Sequence, residues 1–315
     1  MKIALVFPGY TSQYVGMGKD LYDEYRIVQE YFEEASSCTN VNFVKLCFAS
    51  SDAELSKLSN AYMSLFLIGS SVFAVLKEHS IIPDVVTGYN NGECTALFAG
   101  GCFSLPDGLY LLNKFSSFYQ EVLDQIDVNV MRVVGKTTKE LEALVRKISK
   151  DGDDLAIALY EDEKNHIVVG QKDAIGQLHT ALETEESVVV DYLPAEIGLH
   201  SAFMESTIDQ FKIYLEKVDF KDLGIPMISG IDGRVIVQGS EIKERFIEHF
   251  ISPFKFTAIL SALYAYDVII VATPSQALGE VIRKHYPEKK VIAIEKTADI
   301  ETLKEIMGHN QITKE

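Results

Sequence analysis

Four cysteines in 315 residues are too few to staple a chain of this length. Cys38, Cys47, Cys94 and Cys102 form no C-x-x-C pair, and their spacing suggests no zinc site or other metal centre. Reduced, mostly buried thiols in a cytoplasmic protein are the expectation. No apolar run approaches the roughly 18 residues that a membrane-crossing helix needs. The apolar start, residues 3–7, is halted by Pro8-Gly9, which suits a buried strand and is too short for a signal peptide. Basic residues are scarce, 29 Lys and Arg against 46 Asp and Glu, for a formal charge of −17. So acidic a surface repels phosphate backbones and anionic lipid, so neither nucleic acid nor a membrane is expected as a partner. Repeats and low-complexity runs are also lacking. An apolar fraction of 47% argues against disorder. The length suits one large domain or two smaller ones.

The punctuation alternates strands and helices. Residues 3–7 read as a strand, Asp20 to Ala35 as a polar helix, and 61–80 as a helix apolar nearly all round and therefore buried. A short strand at 82–88 runs through a tight turn into a helix at 92–100. Strand, turn and helix in alternation point to a parallel α/β sheet. From about residue 128 the rhythm changes to strand 129–135, helix 138–149, strands 155–160 and 166–170, helix 173–182 and strand 187–193. That β-α-β-β-α-β order is the ferredoxin-like signature. It predicts a small subdomain, 128–198, inserted into a larger unit of residues 1–127 and 199–315. The larger unit resumes with helix 201–217, a strand near 226–230, helix 240–250, a helix from about 255, strand 268–271, helix 275–285 and strand 291–294. Residues from Gly308 on are polar and read as frayed.

Gly88-Tyr89-Asn90-Asn91-Gly92-Glu93 lies at the strand-to-helix junction. G-x-S-x-G at such a junction is the nucleophile elbow, which forces one side chain into a strained turn beside a helix N-terminus. Both glycines are present, but the central residue is Asn90. A carboxamide nitrogen has a delocalised lone pair, and no neighbouring base can activate it as a base activates a hydroxyl.

On these residues the chain resembles the malonyl-CoA:acyl-carrier-protein transacylase family, also found as acyltransferase domains of polyketide synthases. Phe7-Pro8-Gly9-Tyr10-Thr11-Ser12-Gln13, with Gly16-Met17-Gly18, is similar to the family's F-P-G-Q-G-S-Q…G-M-G opening. Gly88 to Glu93 is similar to its G-H-S-x-G-E elbow, and Leu199-His200-Ser201-Ala202-Phe203-Met204 to its F-H-S-x-x-M segment. The resemblance covers almost the whole chain. It implies an α/β-hydrolase-like parallel-sheet core with an inserted ferredoxin-like subdomain. It also implies no bound cofactor, an acyl-CoA or phosphopantetheine thioester as substrate, and an acyl carrier protein or synthase component as partner.

Within that resemblance the catalytic set is depleted. Asn90 stands at the nucleophile and Tyr89 at the preceding histidine. Tyr10 and Thr11 replace the glutamine and glycine near the oxyanion hole, a region that also includes Asn91. Counting back from Gln120, the arginine that pairs with the malonyl carboxylate falls at Phe115, which with Tyr89 would border the acyl pocket; Phe115 and Tyr10 read either as ordinary core packing or as an aromatic wall there. The family's Asn-Pro reads Ser252-Pro253, and its asparagine-rich loop reads Glu161-Asp162-Glu163. His200 alone survives. Asn90 has two readings, a small polar residue that tolerates the left-handed elbow or a water-orienting amide. His200 likewise is either a relic bonded to a backbone carbonyl or a surviving base with an ordinary histidine pKa. Cys94 lies a full helical turn beyond Asn90 and reads as a buried thiol, and Asn91-Gly92 as a tight-turn pair. The function expected is that of a degenerate acyltransferase relative, acting in trans beside a fatty-acid or polyketide assembly line with malonyl transfer lost or impaired. The alternative is a thioester hydrolase or altered-specificity acyltransferase using His200. An acidic carrier protein would need a basic patch, for which Lys114, Lys136 and Arg132 are candidates.

Overall fold

The computed structural model describes residues 1–149, 154–198, 200–274 and 276–312. Its strands, in chain order, are β1 (Ile3–Phe7), β2 (Val85–Gly88), β3 (Val128–Val134), β4 (Leu155–Tyr160), β5 (Asn165–Gln171), β6 (Val189–Leu193), β7 (Met227–Ile228), β8 (Val235–Ile236), β9 (Phe254–Lys255), β10 (Val268–Ala272) and β11 (Lys290–Ile294). All five residues of β1 are buried, and their alternation divides them between two cores. Ile3, Leu5 and Phe7 enter the larger core with the helix Leu58–Glu78, while Ala4 and Val6 pack with Phe254, Phe256 and Ile259. A strand covered on both faces needs apolar residues at every position, which is why it reads as one continuous run.

The larger sheet has the order β11-β10-β1-β2-β7-β8. Its first five strands are parallel, and only β8 runs antiparallel, folding back on β7 at the edge. The second sheet has the order β6-β3-β5-β4-β9, and its first four strands are mutually antiparallel. One face, with Met131, Val133, Ile157 and Val168, is covered by the helices Thr138–Ile148 and Lys172–Leu182. Val130, Ile167 and Val169 on the other face join the core behind β1. The ferredoxin-like unit is therefore packed directly against the parallel sheet. β9 comes from beyond residue 198 and adds to this sheet in parallel with β4.

Several expectations need correction. The helix from Asp20 to Ala35 is two helices, Lys19–Glu24 and Arg26–Thr39, broken by Tyr25 in an extended conformation. The segment from 201 opens with a turn of 3-10 helix before the α-helix Glu205–Leu215, and the strand near 226–230 is only two residues long. Helices Phe43–Ala49, Asp52–Leu55 and Leu105–Leu123 were not anticipated. The C-terminal helix Thr297–Ile312 carries on through Gly308, and residues 313–315 lie outside the described ones. Leu58–Glu78 is in fact long and apolar enough to cross a bilayer, with mean hydropathy 1.5, but 89% of that window is buried inside the protein. It is the central helix of the larger core.

Candidate active site

β1 and β2 end side by side, with Phe7 in register with Gly88. The chain therefore leaves both strands at one level, through Pro8-Gly9-Tyr10-Thr11 and through Tyr89-Asn90-Asn91. Glycines permit the approach. A Cβ on Gly88 would lie 2.0 Å from the Glu93 nitrogen, and one on Gly9 would lie 2.2 Å from the Tyr89 oxygen. Asn90 is held at φ 53°, in the left-handed region, and is only 4% exposed. Its carboxamide Oδ1 accepts the backbone N–H of Asn91 at 2.6 Å. The carboxamide Oδ1 of Asn91 in turn accepts the backbone N–H of Tyr10 at 2.6 Å. Thr11 is also left-handed, at φ 82°, a conformation that a β-branched residue rarely takes.

His200 too has a left-handed backbone, at φ 71°, and its side chain is fully buried. Its backbone N–H donates to the Phe250 carbonyl at 3.1 Å, and Nδ1 lies 2.6 Å from the His249 carbonyl. A carbonyl only accepts, so a proton sits on Nδ1, and Nε2 has no hydrogen-bond partner among the described residues. Burial, and then the neighbouring His249, hold the imidazole well below the usual histidine pKa, against the opposing effect of the His249 carbonyl. Of the two readings of His200, the bond to a backbone carbonyl is present, and the imidazole does not keep the ordinary pKa that the base reading assumed.

Two contacts tie this histidine to the elbow. His249 meets His200 edge-on with centroids 4.6 Å apart, and its Nδ1 lies 2.6 Å from Glu93 Oε2. Glu93 belongs to the elbow helix Gly92–Gly100 and also accepts the N–H of Gly230. Phe254 makes the second tie, 5.5 Å from the Tyr89 ring and 5.2 Å from His200. Beside the elbow opens a cavity of about 340 Å³, whose lining includes Tyr10, Ser12, Tyr89, Arg132, Glu161 and Phe256. Tyr89 donates from its hydroxyl to Glu161 at 2.6 Å, and burial first, then Glu161, push that phenol well above its usual pKa. Burial, then Glu196, pushes Tyr10 up to about 12.

The expected residues fall as follows. Asn90, Asn91, Tyr10 and Tyr89 converge on the elbow. Phe115 does not line the cavity. It is fully buried and stacked on Phe250 at 3.8 Å, within an aromatic group that includes Tyr62, Tyr119 and Phe211. Cys94 is a buried thiol whose pKa burial pushes well up, the opposite of an activated nucleophile. The basic patch is not assembled as expected. Lys136 faces Glu185 at 2.6 Å, Arg132 faces Glu161 at 3.9 Å, and Lys114 lies over the Tyr214 ring. Leu199 lies outside the described residues. Among those described, no group of three or more His, Cys, Asp or Glu is gathered to hold a metal ion. Sequence reasoning passed over Glu93 and His249. Glu93 had a signal, since it is a single charge in an otherwise apolar helix.

A strained strand–turn–helix elbow joined to a neutral histidine is the framework of acyl-transfer α/β proteins, here with an amide where the nucleophile would stand. The chain belongs to the acyl transferase domain family, which it matches over residues 4–306. It is 29% identical over 312 residues to the malonyl CoA-acyl carrier protein transacylase of Bacillus subtilis strain 168, covering 96% of this chain and 98% of that one. The same-named protein of Haemophilus influenzae is 23% identical, with 97% and 99% covered. Among solved structures, the malonyl CoA-acyl carrier protein transacylase of Clostridium perfringens superposes with a TM-score of 0.93 at 20% identity, over the full length of both chains. A type II polyketide synthase acyl-carrier protein in complex with its malonyl-transacylase matches with a TM-score of 0.90 at 19% identity, covering 96% and 98%. At these identities the structural likeness concerns the fold, which is α/β with a ferredoxin-like subdomain.

Proposed function

We propose that this chain works beside an acyl carrier protein in a cytoplasmic fatty-acid or polyketide pathway and has lost malonyl transfer. The observation that carries the reading is Asn90 in the left-handed elbow position. Acyl transfer through an elbow requires a hydroxyl or thiol that can give up its proton and form an ester or thioester. A carboxamide does neither. Phe115 supports the same conclusion, because a phenyl ring at the position of the carboxylate-pairing arginine offers a malonyl group no cation there. In this reading Asn90 holds the nucleophile's place and His200 the base's. Tyr10 and Asn91 belong to the oxyanion region, and Tyr89 to the wall of the acyl pocket. The small subdomain, 128–198, and the larger unit, 1–127 and 199–315, frame a cleft that takes the carrier's thioester arm. The partner follows from relatives whose names pair a malonyl transacylase with an acyl carrier protein.

A thioester hydrolase is the second reading, favoured by the free, neutral Nε2 of His200, which suits it to take a proton from water. Incubation with radiolabelled malonyl-CoA or acetyl-CoA and holo acyl carrier protein tests both. We expect no label on the carrier above the enzyme-free blank and no free acid. Malonyl-labelled carrier would overturn the loss of transfer, and free acid would establish the hydrolase.

A further inference from the structure

At an elbow of this kind, the oxyanion of the tetrahedral intermediate is held by two backbone N–H groups. One belongs to the residue after the nucleophile and the other to a neighbouring loop. The corresponding groups here are the N–H of Asn91 and the N–H of Tyr10. Each has a single hydrogen, and each already donates it. Asn90 Oδ1 accepts from Asn91, and Asn91 Oδ1 accepts from Tyr10, both at 2.6 Å. The acceptor carboxamides are 4% exposed, so water competes poorly for either bond. The Asn91 oxygen is also closely packed, since a Cβ built on Gly9 would approach it to 2.9 Å. A carboxamide oxygen is a neutral carbonyl acceptor, similar in size and polarity to a thioester oxygen. The elbow thus carries its own imitation of the bound acyl group.

We infer that Asn91 is a built-in plug of the oxyanion hole, closing the cleft to acyl transfer at a second point independent of the missing serine. The inference rests on the elbow reading above and makes Asn91 a blocking residue that acts through the Tyr10 N–H. Asn90→Ser frees the Asn91 N–H but leaves the Tyr10 N–H occupied. Asn90→Ser with Asn91→Ala frees both.

The test is phosphonylation of the two variants by a fluorophosphonate probe, followed by intact mass. In that step the introduced serine oxygen bonds to phosphorus, the phosphorus–fluorine bond breaks with loss of fluoride, and the hydroxyl proton passes to His200 Nε2. One oxyanion donor is typically worth about 10²–10³ in rate. The double variant should therefore react at least about 100-fold faster than Asn90→Ser. A ratio below about 10 overturns the plug, whether both variants react or neither does. Amide hydrogen exchange gives a second reading that needs no chemistry. Exchange at Tyr10 should accelerate at least about tenfold in Asn91→Ala and stay unchanged in Asn90→Ser, and equal exchange in the two overturns the inference. A malonyl adduct on the unaltered chain would instead sink the proposed function and leave the Tyr10 result standing.

Discussion

The elbow and the His200 loop are the two halves of the candidate site, and they differ in what their residues offer. At the elbow the glycine-framed backbone carries an amide. Gly88 and Gly92 still admit the tight turn, and position 90 is still left-handed, but the side chain there is an amide whose oxygen is turned onto its neighbour's N–H. At the loop the histidine is kept. His200 is buried, with Nδ1 against the His249 carbonyl and Nε2 without a hydrogen-bond partner among the described residues. The contrast teaches that the left-handed elbow is a property of the strand–helix junction and does not depend on a serine standing there.

If the two halves are held together by the fold, cutting their connection should be costly. Glu93 is buried, faces His249 at 2.6 Å and accepts the Gly230 N–H, so Glu93→Ala leaves two polar groups without their partner. We expect a loss of about 3 kcal/mol in urea unfolding. A loss under about 1 kcal/mol would mean that the halves are independent.

The histidine half can be examined alone through pH. The unfolded imidazole takes its proton near pH 6.5, whereas burial holds folded His200 well below that value. Its contribution is therefore complete above pH 6.5 and declines as pH falls through it, by about 1.4 kcal/mol per pH unit until the folded group also titrates. Stability should fall more between pH 7.5 and 5.5 in the native protein than in His200→Gln, because the folded imidazole is held below the unfolded value. Equal falls would show that His200 is protonated in the fold at pH 5.5.

The smallest expected effect lies at the elbow's flank. Thr11 is solvent-exposed at φ 82°, where a β-branched side chain is strained and glycine is not. Thr11→Gly should stabilise the protein by about 0.5–1 kcal/mol in thermal or urea unfolding. Destabilisation would show that the threonine side chain supports the loop.

Much of the frame was legible because it depends on local pattern. The elbow glycines, the continuous apolar strands and the β-α-β-β-α-β rhythm each follow from short-range spacing. The helix Leu105–Leu123 was hidden because Leu105-Pro106-Asp107-Gly108 resembles a turn. Ser104 caps that helix by accepting the Asp107 N–H, Pro106 sits in its first turn where no donor is needed, and Gly108 admits the Phe66 ring. Candidate site residues were found only where a motif carried them. His249 lies on an amphipathic helix and pairs with a glutamate far away in sequence, so nothing local marks it. Asn91 was legible as a turn residue, but its bond to Tyr10 depends on the register of β1 with β2. The Arg132, Lys136 and Lys114 patch failed for a related reason. Charges counted along a sequence carry no information about the carboxylates that meet Lys136 and Arg132 in space.

Intact-mass spectrometry of the unaltered chain after incubation with excess malonyl-CoA is the most direct test of whether the elbow has lost its chemistry. We predict an unchanged mass, because Asn90 offers no nucleophile and Phe115 no cation for the carboxylate. A stable increment of one malonyl group would contradict this, and peptide mapping would then locate the side chain that carries it.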